Sequence, residues 1–358
     1  MTYLDANASE PLRPEARVAM LAALELTGNP AAVHGAGRAA RRALEQARET
    51  LAARFGGTGA ELVFTSGGTE ADALAIHALG AGRRVLVCAT EHDAVRNART
   101  DAVTIGVDAD GVIDLDALDA ALRGPPALVC LMLANNETGT IQPVAAAAEI
   151  CRRHGALLHV DAVQAAGRIP TSLRALGADS VAISSHKLGG PAGAGALLLR
   201  PGIVGPALIA GGGQERGRRG GTPPVAAIAG FAAAASATTP PSLSGLRDAM
   251  EVAAMAHGAI RLGGAHRLAN TTCLALPGVA AQTQLIALDL AGVAVSAGAA
   301  CSSGRVARSH VLDAMGLGAL AGEAIRVSLP WNATQADVVA FAAAYATMAT
   351  RATRRVAA

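Results

Sequence analysis

The chain has 358 residues, of which 51% are hydrophobic and 16% are charged. A chain of this length and apolar content can bury more than one core, so general disorder is excluded and two cooperating domains are expected. The 30 basic and 28 acidic residues leave a formal net charge of +2, and only 2% of the residues are aromatic. This composition argues against binding to nucleic acid or to a membrane and favours chemistry on a small molecule.

The beginning of the chain, MTYLDANASEPLRPEA, lacks the basic and apolar regions of a secretory signal. Proline or charged residues also interrupt the alanine-rich stretches before they reach membrane-spanning length. We therefore expect a cytoplasmic protein. The five cysteines form no CxxC pair and are odd in number, so neither a disulfide framework nor a zinc ribbon is expected, and we assign no metal site.

From Pro14 onward the sequence alternates between helix patterns and strand patterns. Pro14 begins a first helix, residues 37–57 form a longer amphipathic helix that ends in glycines, and residues 61–66 form a short strand. Further helices are predicted at 67–79, 115–124 and 143–155, and further strands at 83–90, 127–135 and 156–162. Because these strands are continuous apolar runs, the sequence predicts an α/β fold in which helices cover both faces of a mainly parallel sheet.

Around residues 236–244 the sequence SATTPPSLSG breaks this alternation with proline, serine and threonine. The chain then continues with a different arrangement of helices and short strands. We place a large domain at residues 14–240 and a smaller α+β domain at residues 241–358, to which residues 1–13 are added.

Polar residues follow several of the apolar strands, and in an open α/β sheet the ligand lies at these carboxyl ends. After the strand at 61–64 comes TSGGTE, where Gly67 and Gly68 allow close approach of the backbone and Thr69 adds a hydroxyl. The next helix turns its positive end toward this loop, so the pattern favours a phosphate cradle. Simple helix capping explains the same residues when they are taken alone.

Three further strand ends carry residues suited to acid–base or covalent chemistry. His92 follows one strand, where capping is the alternative. Asp161 follows another, and a carboxylate there is costly to bury without a cationic partner. Lys187, close behind Ser184 and His186, is suited to form a Schiff base, although a solvated loop lysine would have the same sequence context.

These residues together match the needs of pyridoxal 5'-phosphate (PLP). The cofactor needs an anchor for its phosphate, a partner for its pyridinium nitrogen, a group stacked on its ring and a lysine that bonds its aldehyde. The phosphate cradle, Asp161, His92 and Lys187 would supply these four in turn.

Ten segments resemble the cysteine desulfurases, which are fold-type I PLP enzymes that take sulfur from cysteine for iron–sulfur clusters and thiolated tRNA. They include FTSGGTEADALAI, TEHDAV, NNETGTIQP, HVDAVQAAGR, SSHKLGGPAGAGAL, GGGQERGRRGGTPPV, VSAGAACSSG and AIRVSL, in the order of the family. The resemblance covers nearly the whole chain. It implies a large PLP-binding domain, a small domain that carries the catalytic cysteine loop, and L-cysteine as the substrate.

The resemblance also implies roles for individual residues. Lys187 bonds the cofactor, Asp161 pairs with the pyridinium nitrogen, and His92 stacks on the ring as an acid–base group. The remaining cofactor contacts are Gln164 and Asn136 at the ring, and Gly68, Thr69, Ser184, His186 and Thr222 at the phosphate, with Thr222 supplied by the second subunit of a homodimer. Arg326, with Asn136, binds the substrate, and Cys301 becomes a persulfide while alanine leaves.

A protein such as an iron–sulfur scaffold is implied as the sulfur acceptor. Several alternatives stay open from the residues themselves. Arg326 could equally form a structural ion pair, and Cys301 could be a buried inert thiol. A selenocysteine lyase or a small aminotransferase would use the same fold, and a non-catalytic assembly partner could have kept it. The sequence VSLPWNAT after Arg326 and Ala73 also depart from the usual pattern of the family.

Overall fold

The structure, a computed structural model, describes residues 1–237, 242–298 and 308–356. Its strands are β1 (Thr2–Tyr3), β2 (Leu62–Thr65), β3 (Arg84–Cys88), β4 (Val103–Ile105), β5 (Ala127–Cys130), β6 (Leu157–Asp161), β7 (Ser180–Ser184), β8 (Gly195–Leu199), β9 (Ile260–Leu262), β10 (Thr271–Ala275), β11 (Val293–Ala294) and β12 (Ala324–Ser328). Its helices are α1 (Pro14–Leu24), α2 (Gly35–Arg54), α3 (Gly68–Leu79), α4 (Asp93–Arg96), α5 (Leu115–Ala121), α6 (Val144–Arg153), α7 (Val225–Ser236), α8 (Ser244–Met255), α9 (Ala281–Leu290), α10 (His310–Ala314) and α11 (Gln335–Val356). Short 3₁₀ turns cover Ser185–Lys187 and Gly318–Gly322.

A seven-stranded sheet organises the first two thirds of the chain. Its strand order is β2-β8-β7-β6-β5-β3-β4. Strand β8 runs antiparallel to both β2 and β7, and the other neighbouring pairs are parallel. The predicted α/β fold with a mainly parallel sheet is thereby confirmed.

The apolar runs of the sheet strands pack on both faces of the sheet. Successive residues of a strand point to opposite faces, so Phe64 of β2 lies in the core beneath α2 and α7, whereas Val63 lies in the core beneath α3. Leu128 and Val129 of β5 divide in the same way. Burial on both sides explains why these strands show no polar alternation in the sequence.

A second group of elements surrounds its own apolar core. Strands β12, β10 and β9 form an antiparallel sheet, and β1 pairs with β11 in parallel. Leu4 from the start of the chain packs in this core with Met250, Phe341 and Tyr345. The N-terminal residues therefore contact the C-terminal part of the chain, and the exact domain boundary stays a prediction.

Strand β5 is shorter than the sequence predicts, because a buried side chain takes the place of a strand partner. The apolar run at 127–135 predicts a strand, but β5 ends at Cys130. The backbone N–H of Met132 donates to Oε1 of Glu91 at 2.6 Å, in place of a neighbouring strand. The side chain of Glu91 thus replaces a strand partner on one side of this segment, while Leu131 and Leu133 still donate to the backbone of β6 on the other side.

Candidate active site

A cavity of about 250 Å³ lies at the carboxyl ends of the parallel strands. It collects side chains from α3, from the loops after β3, β5 and β6, and from the turn after β7. The lining residues are Gly68, Thr69, Asp72, His92, Met132, Asn136, Asp161, Val163, Gln164, Ser184, His186 and Lys187. Most of the residues predicted from the sequence therefore lie around one space. A larger groove between α1, α2 and α7 is lined mainly by alanines and has no titratable side chain.

Lys187 lies in the 3₁₀ turn that directly follows β7. Its Nζ donates to the backbone oxygens of Asn7, at 2.6 Å, and Ala8, at 3.0 Å. Burial, together with the positive charges of Arg326 and Arg168, lowers the pKa of Lys187 to about 8. A lysine with a lowered pKa is a better nucleophile near neutral pH, which suits a residue that bonds an aldehyde.

The N-terminal segment forms part of the site, which the sequence did not suggest. The backbone oxygen of Asn7 accepts hydrogen bonds from both Lys187 and Nε2 of Gln164, the latter at 2.9 Å. The side chain of Asn7 donates through Nδ2 to the backbone oxygen of Asn136 at 3.0 Å. Asn7 thus connects three residues predicted to contact the cofactor. No sequence pattern marks it, because its contacts lie 129 to 180 positions away.

Asp161 and His92 face the same cavity from neighbouring strand ends. Asp161 ends β6, and its Oδ1 accepts from the backbone N–H of Val163 at 2.8 Å. Burial raises the pKa of Asp161, whereas the charges of His92 and Lys187 act to lower it. Nδ1 of His92 accepts from the backbone N–H of Ala94 at 3.1 Å. A neutral His92 ring therefore carries its proton on Nε2.

The opposite end of the cavity has the features of an anion site. Thr69 lies in the first turn of α3, whose free N–H groups and positive dipole end favour an anion. Oγ of Ser184 is buried and has no hydrogen-bond partner within the protein. A Cβ added at Gly67 would meet nothing nearer than this Oγ, 4.0 Å away. An unpartnered hydroxyl facing open space next to a helix N-terminus fits a phosphate group.

His186 completes this end of the cavity. Burial, together with the positive charge of Lys187, lowers the pKa of His186 to about 4, so the ring is neutral at neutral pH. A neutral imidazole donates one hydrogen bond to a phosphate oxygen without adding charge.

Arg326 lies on β12, behind the residues that line the cavity. Its Nη2 contacts Oδ1 of Asp5 at 2.6 Å, and its Nη1 donates to the backbone oxygen of Asn136 at 3.2 Å. Its Nε is buried without a partner. The structural ion pair that the sequence left open as an alternative is thus present. Nε has no partner among the described residues and could donate to a further acceptor. The role of Arg326 toward substrate stays a prediction.

Sequence reasoning missed a group of buried acids beneath Asp161. Oδ1 of Asp72, on α3, lies 3.1 Å from Nε2 of His159, whose Nδ1 lies 2.8 Å from Oγ of Ser180. Glu91 is fully buried, and its Oε2 has no partner. Burial and the charge of Asp161 together raise the pKa of Asp72 and raise that of Glu91 to about 8. The sequence offered one signal for this group. His159 and Asp161 are two positions apart in β6, so they lie on the same face of that strand.

Cys301, the predicted catalytic cysteine, lies outside the described residues. Thr222 is exposed and does not line this cavity. Its predicted role in the site of a second subunit requires such exposure. The other cysteines, Cys88, Cys130, Cys151 and Cys273, are buried, and burial raises the pKa of each thiol. A raised pKa disfavours the thiolate, so these four are suited to packing rather than to nucleophilic attack.

Within residues 1–237, 242–298 and 308–356, we found neither a cluster of three or more His, Cys, Asp or Glu side chains suited to a metal ion nor a helix long and apolar enough to cross a membrane.

Comparison with known proteins identified relatives along nearly the whole chain. The family model for aminotransferase class-V matches residues 2–341. A cysteine desulfurase of Cereibacter sphaeroides is 45% identical, over 94% of this chain and 92% of the relative. A solved NifS-like protein from Rickettsia africae superposes with a TM-score of 0.91 at 33% identity, covering 97% of this chain and 99% of that one. The solved structure of SspA in complex with cysteine has a TM-score of 0.83 at 30% identity, covering 92% and 99%.

Proposed function

This chain belongs to the class-V aminotransferase family and, within it, to the cysteine desulfurases, and we propose that it passes the sulfur of L-cysteine to Cys301 as a persulfide. The enzyme is PLP-dependent and acts on L-cysteine. The observation that carries the proposal is the cavity in which Lys187, Asp161 and the unpartnered hydroxyl of Ser184 meet.

The residues at the two ends of the cavity fit PLP in one orientation. Lys187 bonds the aldehyde carbon, and Asp161 accepts from the pyridinium N–H. His92 stacks on the ring, and Gln164 and Asn136 contact the ring substituents. The phosphate is held by Gly68, Thr69, Ser184 and His186. This orientation gives the buried Ser184 hydroxyl the hydrogen-bond partner that it lacks in the described part of the chain and gives the buried Asp161 a cation.

When bound, PLP withdraws electrons from Cα of the amino acid attached to it. The protein supplies the proton transfers. Lys187 has a pKa suited to accept the Cα proton of the substrate near neutral pH. His92 presents Nε2 to the cavity and can hold or release a proton there.

Arg326 binds the substrate carboxylate in this proposal. Guanidinium groups hold carboxylates through two parallel hydrogen bonds, and the free Nε of Arg326 is one such donor. The other donor, Nη2, is bonded to Asp5. Substrate binding therefore requires the carboxylate to share or displace Asp5, and the position of Asp5 sets how strongly cysteine is held.

The transfer of sulfur from cysteine to Cys301 needs no added oxidant or reductant. The Cys301 thiolate attacks the sulfur of cysteine, and the bond between Cβ and sulfur breaks with its electron pair moving to Cβ. A proton then reaches Cβ, alanine leaves, and Cys301 carries the terminal sulfur as a persulfide. A thiol or a protein acceptor, such as an iron–sulfur scaffold, subsequently takes that sulfur for cluster assembly or tRNA thiolation. We place this exchange in the cytoplasm.

A homodimer completes the cofactor site. Thr222 is exposed on its own subunit, and the preceding loop exposes Val204, Leu208 and Ile209. Exposed apolar side chains beside a predicted cofactor contact support an interface at this surface. Thr222 of each subunit then reaches the phosphate of the other.

The proposal is tested by incubating the purified protein with L-cysteine and a thiol reductant while alanine and sulfide are measured together. We expect the wild type to form both products, Cys301→Ser to form neither, and the matched variant Cys151→Ala to keep both. A coloured wild type that forms neither product would favour another reaction on this fold, such as that of an aminotransferase. A colourless, inactive wild type would favour a non-catalytic assembly role. Activity with selenocysteine but not cysteine would indicate a lyase.

A further inference from the structure

The loop that carries Thr222, residues 213–222, is fixed to the edge of the large sheet. Nη1 and Nη2 of Arg48 contact the two carboxylate oxygens of Glu215 at 2.6 and 2.7 Å, and both side chains are at most 6% exposed. The backbone N–H of Phe64, on edge strand β2, donates to the same carboxylate at 2.9 Å. Glu215 and Arg216 have φ values of 49° and 58°. Two successive left-handed residues persist only where their surroundings fix them.

The same loop contacts the helix that forms the phosphate end of the cavity. Nε of Arg219 lies 2.7 Å from Oε1 of Glu70, and Nη2 lies 3.1 Å from Oε2. Glu70 follows Thr69 in the first turn of α3. Its Oε2 also accepts the backbone N–H of Ser66 at 2.8 Å. Glu70 and Arg219 are only 11% and 17% exposed, so water screens the pair weakly.

Glu70 creates an electrostatic difficulty for an anion at this end of the cavity. Its carboxylate lies in the turn whose positive dipole end favours the phosphate, and it occupies the N–H of Ser66. Burial raises the pKa of Glu70, but the hydrogen bonds from Arg219 and Ser66 outweigh it, so the carboxyl is ionised at neutral pH. A bare negative charge there would repel a phosphate dianion.

We propose that Arg219 is a positioning residue for the cofactor phosphate, because it neutralises Glu70 in the first turn of α3. The inference rests on the proposed function, since it requires PLP in this cavity. The contact also holds the loop three residues before Thr222. Each loop therefore serves the phosphate of its own subunit through Arg219 and that of the partner through Thr222.

The experiment is a double-mutant cycle on cofactor affinity. Apo-protein is prepared as wild type, Arg219→Met, Glu70→Gln and the double variant, and equilibrium dialysis measures the Kd for PLP and for pyridoxal, which lacks the phosphate. We expect R219M to weaken PLP binding about tenfold, because one charge is left uncompensated near a dianion. E70Q keeps an oxygen that accepts from Ser66 and Arg219 but loses the charge, so it should bind PLP about threefold more tightly.

The double variant and pyridoxal separate charge compensation from loop support. R219M/E70Q should bind PLP within about threefold of wild type, because its repulsive charge is gone. All four proteins should bind pyridoxal alike. Equal weakening for PLP and pyridoxal, or no recovery in the double variant, would show a merely structural role and overturn the inference. If R219M does not fold, E70Q decides alone, and weaker PLP binding by E70Q would contradict the proposal.

Arg174→Met is the matched control. Arg174 forms a bidentate contact with the buried Glu61, with both distances 3.2 Å, and neither residue lines the cavity. Its Kd for PLP should equal that of wild type. Wild-type apo-protein that binds no PLP would refute the proposed function itself, whereas tight wild-type binding with unchanged R219M would refute only the role of Arg219.

Discussion

The two ends of the cavity treat buried carboxyl groups in opposite ways. At the ring end, Asp161, Asp72 and Glu91 are each at most 6% exposed, and none of them is bonded to an arginine or lysine among the described residues. At the phosphate end and in the neighbouring loop of residues 213–222, Glu70 and Glu215 are each bonded by two nitrogens of an arginine.

This difference matches a ligand that is positive at one end and negative at the other. Burial raises the pKa of all three acids at the ring end, so they favour protons or an incoming cation such as a pyridinium. At the phosphate end, arginines neutralise the carboxylates, so an anion meets no uncompensated negative charge. The protein thus prepares both ends of the site before the cofactor arrives.

Replacing Asp161 should have the largest effect on catalysis. Asp161→Asn removes the charge that keeps the ring nitrogen protonated, so electron withdrawal from Cα falls. We expect the rate of alanine formation to drop about 1000-fold, as for other losses of a preorganised charge. Bound PLP should remain detectable by absorbance, since Lys187 and the phosphate contacts are intact. Activity within tenfold of wild type would show that Asp161 does not hold the ring nitrogen.

Asp72→Asn is the control at the same end of the cavity. Asp72 lines the cavity and bonds His159, but burial and the charge of Asp161 raise its pKa and so favour its protonated form. An asparagine amide can still donate to His159. We therefore expect less than about a tenfold change in rate. A loss as large as that of D161N would mean that Asp72 acts as a charge.

Breaking the buried pair between Arg48 and Glu215, which holds the loop of residues 213–222, should lower the free energy of unfolding. Arg48→Met leaves the carboxylate of Glu215 buried without its cation, and losses of this kind amount to about 3 kcal/mol in free energy of unfolding. Urea denaturation of the apo-protein measures this value. A change below about 1 kcal/mol would show that the pair is not needed to hold the loop.

A second substitution separates the lost charge from lost packing. R48M/E215Q removes the stranded carboxylate as well, so it should recover part of the stability lost in R48M. The pair of Arg174 and Glu61 provides the comparison, since Glu61 is buried but Arg174 is 58% exposed. R174M should change the free energy of unfolding by no more than about 1 kcal/mol.

The sequence predicted the fold and the cavity lining because both follow from local patterns. Continuous apolar strands indicate a sheet covered on both faces, and parallel strands bring their carboxyl ends to one edge. Asp161 is the last residue of a strand, and Lys187 and Thr69 follow a strand within five residues, so all three could be found by inspection. The family resemblance was needed for Arg326 and Thr222, because nothing local marks either as a ligand.

The charge compensation could not be predicted in the same way. Glu70 and Arg219 are 149 positions apart, and Arg48 and Glu215 are 167 apart. The sequence around each of these residues does not indicate which residue it pairs with, because arginine and glutamate are usually solvated surface residues. The contacts of Asn7 were hidden for a related reason, since they use its backbone oxygen, which every residue has.

Glu91 offers the smallest and most specific test of the comparison. If the ring end holds neutral acids, a neutral isostere should be tolerated there, whereas R48M is not tolerated at the other end. Glu91→Gln keeps an oxygen that can accept from Met132. We expect its free energy of unfolding at pH 5 to lie within about 1 kcal/mol of wild type.

The two proteins should diverge as the pH rises. Glu91 has a pKa raised from 4.5 to about 8 in the folded protein, so between these values the folded state binds more protons than the unfolded state. Its contribution to stability is therefore complete below pH 4.5 and is lost as the pH approaches 8. E91Q has no such proton, so its stability relative to wild type should rise by about 3 kcal/mol between pH 5 and pH 8. Parallel pH profiles would mean that Glu91 is already ionised at pH 5, and that the ring end compensates its charges as the phosphate end does.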